Sequence, residues 1–140
     1  MKRIAILFFF ISFVSFSQNE DLKINLDWYK PIYFSKNSNQ FIDDELVWVN
    51  RYLYDLEKYP KIQIEIRGHC DSLEKNSKKL SLKRSKALKN YFVSKGIDKR
   101  RIKLKGFASN QLVNECNKNV DCSEEKRQQN RRCEMIITAI

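Results

Sequence analysis

Apolar residues recur along this chain at two different periods, and each period predicts an element. Ile62, Ile64 and Ile66 alternate with Gln63, Glu65 and Arg67, the pattern of a strand with one buried face, and predict a strand over 61–67. Ile42, Leu46, Val49, Leu53 and Leu56 recur at alternating steps of four and three, which predicts an amphipathic helix with one buried stripe. Asp43, Asp44 and Glu45 place negative charge at its N-terminus, and Pro60 closes it. A second helix is expected from Ser81 to Lys95, with Leu80, Ala87, Leu88, Tyr91 and Phe92 facing inward and Gly96 as a left-handed cap. The runs WYKPIYF (28–34), RIKLK (101–105) and RCEMIITAI (132–140) predict three more strands, and Pro31 places the first of them at a sheet edge. KNSNQ (36–40) reads as a turn, and 106–129 as a long irregular segment.

The resulting order, β-α-β-α-β, a long loop, then β, predicts an α+β fold. Two helices pack on a small mixed sheet as a two-layer sandwich. Trp48 and Tyr52 are expected to pack around the first helix rather than to form a ligand platform. No repeat or internal linker divides the chain, and its length suits a single domain. The start has a different character. Met1-Lys2-Arg3 is basic, 4–14 is apolar apart from Ser12, and Ser15 and Ser17 offer small residues before Gln18. This is the pattern of a signal peptide over 1–17. A loose lead-in follows over 18–27, and the domain over 28–140. The apolar run is shorter than the ~20 residues of a spanning helix, so no transmembrane segment is expected in the mature chain.

The full chain carries a net charge of +10. Loss of Lys2 and Arg3 with the leader leaves 25 basic side chains against 17 acidic, or +8. Such a surface favours anionic partners, but export argues against nucleic acid as one of them. An oxidising compartment also allows the four cysteines to pair. Cys116 and Cys122 flank one polar loop and are expected to staple it. Cys70 and Cys133 then either pair or remain buried thiols. Six-residue cysteine spacing without a neighbouring histidine is poor zinc spacing, so neither a metal nor a cofactor is expected.

The single histidine, His69, precedes Cys70, but adjacent strand residues point to opposite faces, so no Cys-His dyad follows. There is no Gly-rich phosphate loop, nor a pair of acids placed for hydrolysis. The chain does not read as an enzyme, and His69 is expected to shape its loop by hydrogen bonding. The remaining chemistry is one acid and one base. Asp71 ends a strand, and Arg84 lies in the first turn of the helix expected from Ser81, so the two should face one another. A carboxylate accepts from an ammonium, and a guanidinium grips a carboxylate through two parallel bonds. On spacing alone the two side chains either pair together or share a zwitterionic ligand.

GHCDS (68–72), LSLKRSKALKNYF (80–92), GIDKRRIKLKGFA (96–108) and NRRCEMII (130–137) occur in this order and together resemble the OmpA-like domain that binds peptidoglycan. The resemblance runs from about Ile32 to Thr138. It implies the fold reached above and non-covalent binding of the diaminopimelate-containing stem peptide. Asp71 would meet the ammonium and Arg84 the carboxylate. Ser35 to Ser38 would line the pocket, Asn76 and Ser77 would stand near the family's loop asparagine, and Arg131 of the NRR segment would lie near or brace the site. The chain departs from the family pattern at Cys70 (threonine in the family), at Ser35, and in a short loop after Asp71 that lacks the usual glycine. Cys133 replaces the valine of the last motif, and with Cys70 it could form a second disulfide. The implied setting is the periplasm, beside the wall or outer membrane. The alternative is a protein-docking subunit of an envelope complex that keeps the fold.

Overall fold

Residues 30–140 are described by the computed structural model of the protein. The expected leader over 1–17, the lead-in over 18–27, and Trp28 and Tyr29 of the first strand lie outside them. The isoleucine alternation forms β2 (Gln63–Gly68), with Ile64 and Ile66 buried. On one side it pairs in parallel with β3 (Ile102–Gly106), and on the other antiparallel with β4 (Arg132–Ala139). β1 (Ile32–Tyr33) pairs with β4, so the sheet order is β1-β4-β2-β3 and the Pro31 strand is at an edge. A parallel neighbour requires a crossover, which α2 (Ser77–Ser94) provides between β2 and β3. α1 (Leu46–Lys58) and α2 bury Val49, Tyr52, Leu56, Leu88 and Phe92 in one core with Ile32, Phe34, Ile64, Ile66 and Ile102. This is the expected α+β sandwich on a mixed sheet.

Four details differ from the sequence pattern. A 3-10 turn over Asp43–Glu45 precedes α1 and resets its phase. The buried stripe is therefore Val49, Tyr52 and Leu56, while Leu46 is 41% exposed. Tyr52 packs as expected, and its hydroxyl donates to the Lys30 carbonyl at 2.7 Å. α2 begins at Ser77, one turn before Ser81, because Asn76 turns left-handed at φ 53° and its carbonyl accepts from Leu80 N–H. That polar first turn has no apolar periodicity to announce it. A short third helix, α3 (Glu124–Gln128), interrupts the segment expected to be irregular. It has no apolar residue and is held by a Ser123 cap, with acids in its first turn and bases in its last. Gly96 takes φ +102° at the end of α2, the left-handed conformation expected of it.

Two close approaches set the position of α2. A Cβ on Gly68 would lie 1.9 Å from the Ser81 carbonyl oxygen, and one on Gly106 would lie 2.8 Å from Ser81 Oγ. The helix therefore rests directly on the ends of β2 and β3. Arg84, one turn beyond Ser81, is carried beneath the end of β2.

Candidate ligand-binding site

The C-terminal end of β2 is joined to its neighbours by backbone bonds. Phe107 N–H donates to the Gly68 carbonyl, His69 N–H to that of Arg132, and Cys70 N–H to that of Ala108. These bonds hold 68–71 in place, and Asp71 follows with its side chain fully buried. Arg84 enters from α2, also with no exposed surface. Its Nε donates to the Ser38 carbonyl at 2.9 Å, its Nη2 to that of Ser35 at 3.1 Å and its Nη1 to that of His69 at 3.0 Å. The guanidinium lies 5.4 Å from the Phe34 ring centre. Ser35 and Ser38 thus act through their main chain, so their side-chain identity matters little to this contact.

Asp71 and Arg84 do not pair with each other. Arg84 is held by Glu74, with Nη1–Oε2 at 2.7 Å and Nη2–Oε1 at 2.6 Å, a fully buried bidentate pair. The Glu74 carboxylate also accepts from the Asn37 and Asp71 N–H groups, at 2.7 and 3.0 Å. Asp71 instead faces Arg131 at 3.2 Å and Arg127 at 3.5 Å, and accepts from Leu73 N–H at 2.8 Å. Placing Arg84 two turns into α2, rather than in its first turn, leaves the 72–76 loop free to fold between the expected acid and base.

Arg131 braces the site: its guanidinium also reaches Glu124 and Gln128 on α3. Asn130, beside it, accepts from Val113 N–H and donates to Asn114. Asn76 and Ser77 contribute main chain, since Asn76 turns into the helix and the Ser77 carbonyl lies 3.4 Å from Cys70 Sγ. Glu74 and Arg127 are missing from the sequence-based expectation, whereas Asn37 lies within the 35–38 turn expected to line the pocket and does so through its main-chain N–H. A fully buried arginine requires a counter-ion, and Glu74 was the acid on the intervening loop. Nothing in the residue pattern separated Arg127 from the other basic residues.

The expected Cys116–Cys122 disulfide is present, with Cα atoms 5.8 Å apart. It reaches the site through the Cys116 carbonyl, which accepts from Ser72 Oγ at 2.7 Å. Cys70 and Cys133 are buried free thiols rather than a second disulfide. Burial pushes the thiol pKa of each up to about 12, so neither is a ready nucleophile. His69 holds its loop through its main chain, its N–H donating to the Arg132 carbonyl and its carbonyl accepting from Arg84, while among the described residues its ring nitrogens have no hydrogen-bond partner. The buried imidazole stacks on Phe107 with centres 5.2 Å apart, and its Nε2 stands 3.5 Å from Glu134. Burial, and then the nearby Arg132, lower its pKa to about 4.

A sheet of this order, with its motifs gathered where β2 ends, defines an OmpA-like domain. The chain belongs to the OmpA family, which it matches over residues 33–128. Among solved structures, the peptidoglycan-associated lipoprotein of Burkholderia pseudomallei superposes with a TM-score of 0.68 at 19% identity, over 78% of this chain and 90% of that one. The C-terminal domain of Helicobacter pylori MotB gives 0.68 at 20% identity, over 79% and 85%. The cell wall anchor of the T6SS from Pseudomonas aeruginosa gives 0.62 at 23% identity, over 77% and 76%. At these identities the likeness is one of fold. A curated relative, the photosystem I P700 chlorophyll a apoprotein A2 of Gloeobacter violaceus, is 36% identical over 108 residues. The match covers 74% of this chain and only 12% of that protein.

Proposed function

We propose that the protein is exported and binds peptidoglycan non-covalently, through the diaminopimelate-containing stem peptide, at the site formed by Asp71 and Arg84. The observation that carries this reading is the cradle around Arg84. A carboxylate is held there by a bidentate guanidinium and two main-chain N–H groups, in the motifs that the family uses for the wall. The names of two fold neighbours, a peptidoglycan-associated lipoprotein and a cell wall anchor, point the same way. The carboxylate half of the proposal rests on geometry. The ammonium half, at Asp71, rests on the family resemblance, because two arginines already face that acid. Among the described residues no helix is long and apolar enough to cross a membrane, which is compatible with a periplasmic domain beside the wall.

A second reading, a protein-docking subunit of an envelope complex, is favoured by one observation: Asp71 and Arg84 are both fully buried and charge-paired. Co-sedimentation with purified sacculi separates the two. Wall binding predicts that the parent sediments with sacculi, while Asp71→Asn and Arg84→Lys variants with parent-like circular dichroism stay in the supernatant. Variants that sediment like the parent would remove the site assignment. A parent that never sediments, yet cross-links to one envelope protein, would favour docking.

A further inference from the structure

Glu74 fills the place that the proposed function assigns to a ligand. Its two oxygens accept four hydrogen bonds, from Asn37 N–H, Asp71 N–H and the two terminal nitrogens of Arg84, at 2.6–3.0 Å. These donors come from the turn after β1, the end of β2, and α2. We propose that Glu74 is a built-in occupant of the carboxylate receptacle, carried on the 72–76 loop, which an incoming carboxylate must displace. The proposal rests on the peptidoglycan reading and adds a gate to it.

The receptacle does not depend on Glu74 to be formed. Arg84 is also tied to the Ser35, Ser38 and His69 carbonyls, so the guanidinium stays in position when the acid leaves. Exchange of one carboxylate for another keeps every buried donor satisfied and leaves the local charge unchanged, whereas an empty receptacle would strand them. Apart from Glu74 itself and Ser72, which is pinned to the Cys116 carbonyl, the loop faces solvent. Leu73 is 45% exposed, and Lys75 and Asn76 are exposed. The loop joins α2 at Asn76 in its left-handed conformation. The outer surface of the same loop forms a shallow, open depression edged by Lys75, Lys78, Lys79 and Lys118. An anionic ligand is therefore attracted to the place where Glu74 must open.

A closed gate weakens apparent affinity by the fraction of time that it is open. In Glu74→Gln an amide nitrogen replaces one accepting oxygen and meets a donor, so the closed state loses ground. Titration with meso-diaminopimelate should then show Glu74→Gln binding about tenfold or more tighter than the parent, for a gate open a tenth of the time or less. In Glu74→Ala, added acetate should raise the melting temperature well above its effect on the parent, and chloride at equal ionic strength should not. In the parent, hydrogen exchange at the Leu73 and Glu74 amides should speed up when diaminopimelate is added. This last measurement requires no variant to fold.

Parent binding with no gain in Glu74→Gln, and loop exchange unchanged or slowed by ligand, would overturn the gate while leaving the wall-binding function intact. Acetate rescue of Glu74→Ala in a protein that ignores diaminopimelate and sacculi would uphold the receptacle and its occupant and reject peptidoglycan as the ligand. If acetate rescue and tighter binding are both absent, Glu74 is a fixed internal ion-pair partner and the gate is overturned.

Discussion

The site depends on how a few buried charges are partnered. Arg84 and Glu74 are both removed from water, and removing one member of such a pair leaves the other uncompensated, at roughly 3–5 kcal/mol. Arg84→Met is therefore expected to lower stability by about that amount in urea denaturation. A loss under ~1 kcal/mol would mean that the pair is solvated in solution. His69 provides a pH-dependent term. Its folded-state pKa is depressed from 6.5 to about 4, chiefly by burial and then by Arg132, with Glu134 opposing. Between these two values the unfolded chain binds the extra proton and the folded one does not. Stability is thus fully present above about pH 6.5, falls as the pH drops toward 4, and levels off below it, for a total of up to about 3 kcal/mol. His69→Phe should flatten that slope in melts taken across the range. An unchanged slope would locate the acid sensitivity elsewhere.

At the scale of elements, the close contact between α2 and the end of β2 governs the site. Gly68→Ala would drive a methyl into the Ser81 carbonyl, so a loss of roughly 1–3 kcal/mol or more is expected. The shift of α2 should also weaken ligand binding beyond what the loss of folded protein explains. A parent-like melting temperature in Gly68→Ala would show that the helix has room to spare. The elements differ in how legible they were. Ile62, Ile64 and Ile66 marked β2 because burial on one face of a sheet imposes strict alternation. Gly96 marked the end of α2 because few other residues accept its backbone angle. The first turn of α2 and the whole of α3 are polar, so capping and charge hold them, and apolar spacing carries no trace of either. The same limit applied at the site. The motifs around Asp71 and Arg84 marked the corner where β2 ends beside α2, but which acid meets which base depends on the path of the 72–76 loop. That loop follows no periodic rule.

For the whole molecule, one sheet brings the turn after β1, the end of β2, the start of α2 and the segment before β4 to a common corner. The disulfide-bearing loop closes this corner through the bond from Ser72 to Cys116. The lysines around the outer face of the 72–76 loop would draw an anionic polymer to it, and salt should weaken that attraction. The central claim is that the corner reads a carboxylate of the stem peptide. Its most direct test is titration of the protein with two purified muropeptides, identical except that one carries diaminopimelate and the other lysine, which lacks the second carboxylate. Saturable binding of the diaminopimelate form is expected, with little or none of the lysine form. Equal affinity for the two, or no binding of either by the parent and Glu74→Gln alike, would contradict it.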